Sequence, residues 1–90
     1  MTTEFDWDDG NDGHATAHGV SPEEMEEVYL DPRRVGLQTF EVNGEMRWTI
    51  VGRTQSRRFL FLVYTKRGHK IRLITARNAD RSEKKHYKGK

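Results

Sequence analysis

Ninety residues make one small domain, with room for a single sheet and about two or three helices. The absence of cysteine excludes disulfides, thiolate catalysis and cysteine-ligated zinc, and no apolar run approaches the ~20 residues a membrane-spanning helix needs. A formal net charge of +2 conceals a split: residues 1–31 hold ten acids and no Lys or Arg, whereas residues 32–90 hold sixteen bases against four acids.

That asymmetry has two readings, a basic face for a polyanion or mutual attraction of the two halves in the folded domain. The start, MTTEFDWDD, is acidic and lacks a signal-peptide core, so a cytoplasmic location is expected. Residues 8–14, DDGNDGH, read as a loop or a poor helix, since each of the two glycines costs a helix roughly 1 kcal/mol relative to alanine. His14, His18 and nearby Asp12 do not amount to a zinc site, which needs three or four preformed ligands, so no metal and no cofactor is expected.

HGVSPEEMEEVYLDP carries a helix signal. Ser21 is the N-cap, Pro22 suits the first turn, and Glu24 completes a capping box. Met25, Val28 and Tyr29 recur three and four residues apart on one face, and Pro32 stops the helix by Leu30. The glutamates of the first turns suit the positive end of the helix dipole and need no catalytic role.

Strands follow. GLQTFEV and MRWTIVG flank Asn43-Gly44, a hairpin signal; RFLFLVYTK is apolar on both faces, as a central strand is; Arg67-Gly68 turns the chain into HKIRLITA. Strict alternation puts Arg47, Thr49, Val51 and Arg53 on one face of their strand. In the last strand it puts Lys70, Arg72, Ile74 and Ala76 opposite Ile71, Leu73, Thr75 and Arg77. NADRSEKKHYKGK reads as a short basic helix capped by Asn78 or Asp80. The expected domain therefore has an acidic helical segment over 1–31, a four-stranded antiparallel meander over 36–76 and a basic helix over 78–88. Its class is α+β, with the N-terminal helices on one face of a twisted sheet and the other face free to bind.

The order of FDWDD, HGVSPEEMEEVYLDP, RWTIVGR and VYTKRGHKIRLITARNADRSEKKHY resembles the BrnT-type toxins of type II toxin–antitoxin modules. The resemblance rests on Phe5 to Asp8, His18-Gly19-Val20, Asp31-Pro32, Gly52-Arg53, the run Ile71 to Arg77, and Ala79, Glu83 and Tyr87. It implies a RelE-like fold and a small ribonuclease that cuts RNA without a metal and arrests growth. It also implies a BrnA-like antitoxin with a ribbon–helix–helix part, through which alone the complex would reach operator DNA. The chain departs from the pattern where Gly10 or Asn11, and Ala17, stand in place of lysines.

Metal-free cleavage needs a base for the 2′-OH, cations for the phosphorane and an acid for the leaving 5′-oxygen. Arg53, Arg72 and Arg77 are the candidates for phosphate binding, their other role being ion pairs with the acidic third. Lys66, Arg67, Lys70 and Lys84 are candidates for guiding RNA. Proton transfer is open between His18, His69, His86, Glu83 and Tyr87, with His18 and Tyr87 the leading pair; Tyr87 has an alternative role anchoring the core. A second reading keeps the fold and drops the chemistry, as a non-catalytic RNA- or protein-binding relative. The nuclease reading requires positive side chains of the later strands and last helix to converge over one exposed patch; scattering them, or burying each against its own aspartate or glutamate, counts against it.

Overall fold

The computed structural model describes residues 3–7 and 19–89. Its elements in chain order are β1 (Glu4–Phe5), α1 (Pro22–Leu30), β2 (Val35–Val42), β3 (Glu45–Arg53), β4 (Phe59–Arg67), β5 (Lys70–Asn78) and α2 (Arg81–Lys88). The α+β class holds, but the four-stranded antiparallel sheet does not. The sheet has five strands in the order β1-β5-β4-β3-β2, and β1 runs parallel to β5. Glu4 aligns with Lys70 and Phe5 with Ile71, and the Asp6 N–H donates to the Ile71 carbonyl over 2.8 Å. A two-residue strand has too little alternation to read. Phe5 is what seats it, its ring meeting Tyr29 edge-on at 5.7 Å against the core. Residues 8–18, with the loop or poor helix, His14 and His18, lie outside the described residues.

α1 begins as its sequence dictates. The Glu24 N–H donates to Ser21 Oγ at 3.1 Å, and the Ser21 N–H donates to the Glu24 carboxylate at 3.0 Å. Val20, Met25 and Val28 then pack on Ile50, Leu60, Leu62, Ile71, Leu73 and Ala76. Each fully buried side chain of this size contributes about 1.5–3 kcal/mol. Gly52 sets how closely helix and sheet approach, because a Cβ there would stand 2.9 Å from Val28 Cγ1 and 3.0 Å from the Val28 carbonyl oxygen.

The two described helices do not share a face. α1 covers one side of the sheet. α2 packs at one end of the other, where the Tyr87 ring meets Phe59 edge-on at 5.3 Å and Glu83 pairs with Arg77. Alternation explains this: Phe59 and Arg77 point away from Leu60 and Ala76, which face α1. α2 buries no residue of its own, so ring contacts and ion pairs hold it in place. Its N-cap is Asp80, in a capping box with Glu83.

One irregularity decides the functional surface. Val63 aligns with Thr75 but Tyr64 with Leu73, so Ile74 is an extra residue in β5. A bulge of this kind shifts the alternation by one. Arg72 and Arg77, opposed under strict alternation, therefore lie on the same face, Arg72 beside Thr65 and Arg77 beside Phe61.

Candidate functional site

The face opposite α1 gathers most of the strand-borne cations. Arg47 aligns with Phe40, Arg53 with Phe59, Arg67 with Lys70, Arg72 with Thr65 and Arg77 with Phe61. Cross-strand partners point to one side, and residues two apart along a strand share it. Arg53, Arg72, Arg77, Arg67 and Lys70 of the expected set thus stand on a single surface, joined by Arg47. Lys66 does not: its ammonium lies over the Trp48 ring at 4.9 Å, on the α1 side. Lys84 is exposed on α2. His18 falls outside the described residues.

The cations form two groups. Arg47, Arg67, Lys70 and Arg72 crowd the end of the face near the β2–β3 and β4–β5 turns. Arg53 and Arg77 lie at the α2 end. Arg72 and Arg77 align with Thr65 and Phe61, four positions apart on β4, about 13 Å at a strand's rise. Arg72 is turned to Asp6 and Arg77 to Glu83, so in this arrangement the three arginines do not form the single clamp that sequence spacing left open.

Carboxylates already hold most of them. Arg72 pairs with Asp6 at 3.6 Å, with its side chain only 18% exposed. Glu4 sits 3.0 Å from His69 and 3.6 Å from Lys70. Arg77 makes two bonds to Glu83, at 3.0 and 2.9 Å, and its guanidinium lies 4.2 Å over the Phe61 ring. The Glu83 bonds hold the Arg77 proton more firmly than usual. The mutual-attraction reading of the charge split is seen directly: acids of the N-terminal third lie on cations of the basic face. Arg58, a strongly placed cation, is structural. It bonds both Glu24 carboxylate oxygens, the Gly19 carbonyl and Asn78 Oδ1, all on the α1 side.

Glu45 is the carboxylate that the sheet itself places among the arginines. It lies 3.3 Å from the Arg47 guanidinium and 3.6 Å from that of Arg67, on a side chain about one-third exposed. Sequence reasoning passed over it and Arg47. The signal was present: Glu45 follows the Asn43-Gly44 turn, and residues two apart on a strand share a face. Thr75 Oγ1, on the same face between Arg72 and Arg77, is buried with no hydrogen-bond partner among the described residues. Folded proteins leave few such groups.

At the α2 end, Asp31 binds three elements together. Its carboxylate accepts from the Arg33 N–H, the Arg53 N–H and the Tyr87 hydroxyl, each at 2.9 Å. Burial works against its charge, but these donors and the Arg53 guanidinium outweigh it and hold the carboxyl below its ordinary range. Burial, and then the bond to Asp31, push the Tyr87 hydroxyl above its ordinary value. In this arrangement the Tyr87 proton is committed to Asp31. A groove lined by Pro32, Arg33, Arg53, Phe59, Tyr87 and Lys88 opens beside this junction.

Among the described residues no three histidine, aspartate or glutamate side chains converge to hold a metal ion, and no helix is long and apolar enough to cross a membrane. What the surface offers is a row of planar guanidinium donors suited to phosphate oxygens, with the carboxylates of Glu4, Asp6, Glu45 and Glu83 set among them.

The family model for the BrnT ribonuclease toxins of type II toxin–antitoxin systems matches residues 7–83. A comparison with curated proteins finds no match. With most of its length matched, the chain belongs to the BrnT family of ribonuclease toxins of type II toxin–antitoxin systems, a class whose members have an RNA target and an antitoxin partner.

Proposed function

We propose that this toxin is a metal-independent endoribonuclease whose cationic sheet face holds the RNA and cuts it by 2′-OH attack. The observation that carries the reading is the gathering of Arg47, Arg53, Arg67, Lys70, Arg72 and Arg77 on one face by strand register and the β5 bulge. RNA phosphates take the place of Asp6, Glu4 and Glu83 on these cations, exchanging one charge-assisted partner for another.

The chemistry sits at the Glu45 end. Glu45 accepts the 2′-OH proton as Arg47 and Arg67 turn to the phosphate. The 2′-oxygen forms its bond to phosphorus, and Arg47 and Arg72 stabilise the charge of the phosphorane. The bond from phosphorus to the 5′-oxygen then breaks, and that oxygen takes a proton from His69, which precedes Lys70 at the β4–β5 turn. The products are a 2′,3′-cyclic phosphate and a 5′-OH. Arg53 and Arg77, at the far end of the same face, position the flanking RNA. Cleavage of this kind arrests translation in the cytoplasm. A BrnA-like antitoxin with a ribbon–helix–helix part neutralises the toxin and alone connects it to operator DNA.

The test is purified protein with single-stranded RNA in EDTA, read by end-group analysis. Cyclic-phosphate ends are expected, falling roughly 100- to 1,000-fold in Arg72→Ala. Absence of cleavage by the wild type in EDTA refutes the mechanism. Because carboxylates already occupy most of the cations, the non-catalytic relative remains the second reading, and salt-dependent RNA binding without cleavage selects it.

A further inference from the structure

Phe40 is one of three large apolar side chains left exposed among the described residues. It lies on β2, the outer strand beside β3, and is 42% exposed. Its cross-strand partner is Arg47, so its ring stands on the cationic face, one strand spacing of about 4.8 Å from that arginine. The row continues through Thr65 to Arg72, and Glu45 occupies the adjacent row.

The other exposed large apolar side chains are elsewhere. Met46 alternates to the α1 side of β3, and Leu30 ends α1. A protein-docking surface needs contiguous apolar area. A single exposed ring among guanidinium groups has different chemistry: its face stacks on a base while the arginine beside it takes the phosphate. We infer that Phe40 is a nucleobase platform, on which the RNA base next to the phosphate held by Arg47 stacks. The inference rests on the ribonuclease reading above and adds a subsite to it. Stacking at Phe40 fixes which nucleotide presents its 2′-OH to Glu45, so Phe40 is a positioning residue. Every base has a stacking face, but a base held in a duplex cannot offer it. The subsite therefore selects unpaired RNA rather than a particular letter.

The experiment compares the wild type with Phe40→Ala, Phe40→Leu and Phe40→Trp, each checked for an unchanged melting profile. Binding is measured to 2′-O-methyl oligonucleotides, intact or with an abasic nucleotide at each position in turn; cleavage is measured on RNA of the same sequence. Phe40→Ala and Phe40→Leu are expected to weaken binding and raise KM roughly 5- to 100-fold, with kcat held, and Phe40→Trp to restore both. One abasic position should cost the wild type the same factor and cost Phe40→Ala nothing. A Leu variant that binds and cleaves like the wild type overturns the platform, as does an abasic penalty that persists in Phe40→Ala. Loss of antitoxin affinity with RNA binding intact assigns the ring to a protein interface and also overturns it. A wild type that neither binds nor cuts RNA removes the ribonuclease reading itself, whereas cleavage that ignores Phe40 removes the platform alone.

Discussion

Tyr87→Phe separates anchoring from proton transfer. The substitution keeps the ring against Phe59 and deletes one donor, the hydroxyl 2.9 Å from Asp31. A hydrogen bond to a charged group contributes about 1.5–3 kcal/mol. Asp31 keeps the N–H groups of Arg33 and Arg53, so the lower end applies, about 1.5 kcal/mol. In a domain of this size that lowers Tm by roughly 6–12 °C. The pH dependence carries the signature. The Asp31 carboxyl lies below its ordinary 3.8 in the folded protein, so its contribution is complete above that value and is lost as pH falls through the folded pKa. The Tyr87 hydroxyl lies above its ordinary 10.0, so its contribution is complete below that value and is lost as pH rises through the folded pKa. The stability gap between wild type and variant, measured by urea unfolding, should be flat from about pH 5 to 9 and narrow on both sides. A gap under about 0.5 kcal/mol at neutral pH, or one that ignores pH, refutes the latch. Folded Tyr87→Phe should retain cleavage within about tenfold; a loss beyond roughly 100-fold makes the tyrosine a proton-transfer group instead.

Gly52→Ala forces Val28 and the α1 backbone away from β3 and should destabilise by about 1–3 kcal/mol in urea unfolding. Arg57 holds a φ of 70° in the turn before β4, so Arg57→Gly should stabilise by up to about 1 kcal/mol; a neutral or lower Tm counts against strain there. Glu45→Gln keeps the side chain's size and removes its charge. It should lower kcat roughly 100- to 10,000-fold while moving stability by less than about 1 kcal/mol, since its ion pairs are partly exposed. Unimpaired cleavage by that variant eliminates Glu45 as the base.

Local chemistry is what the sequence by itself determined. The capping box at Ser21 and Glu24, the stop before Pro32 and the Asn43-Gly44 turn each depend on residues a few positions apart. So does the central place of the doubly apolar β4. The charge split was legible too, and its mutual-attraction reading has its counterpart in the pairs Glu4–Lys70, Asp6–Arg72 and Glu24–Arg58. Long-range geometry was not. β1 exists because Phe5 finds Tyr29 across the fold, and two residues carry no period of their own. The placing of Lys66 over Trp48, away from Arg67 beside it in sequence, follows from alternation once the strand is fixed. Above all, the extra Ile74 in β5 brings Arg72 and Arg77 to one face. No spacing announces a bulge, since it arises from the pairing of two strands and not from either strand alone. The cations were written in the sequence; which of them share a surface, and the roughly 13 Å that divides Arg72 from Arg77 there, tertiary pairing alone decided.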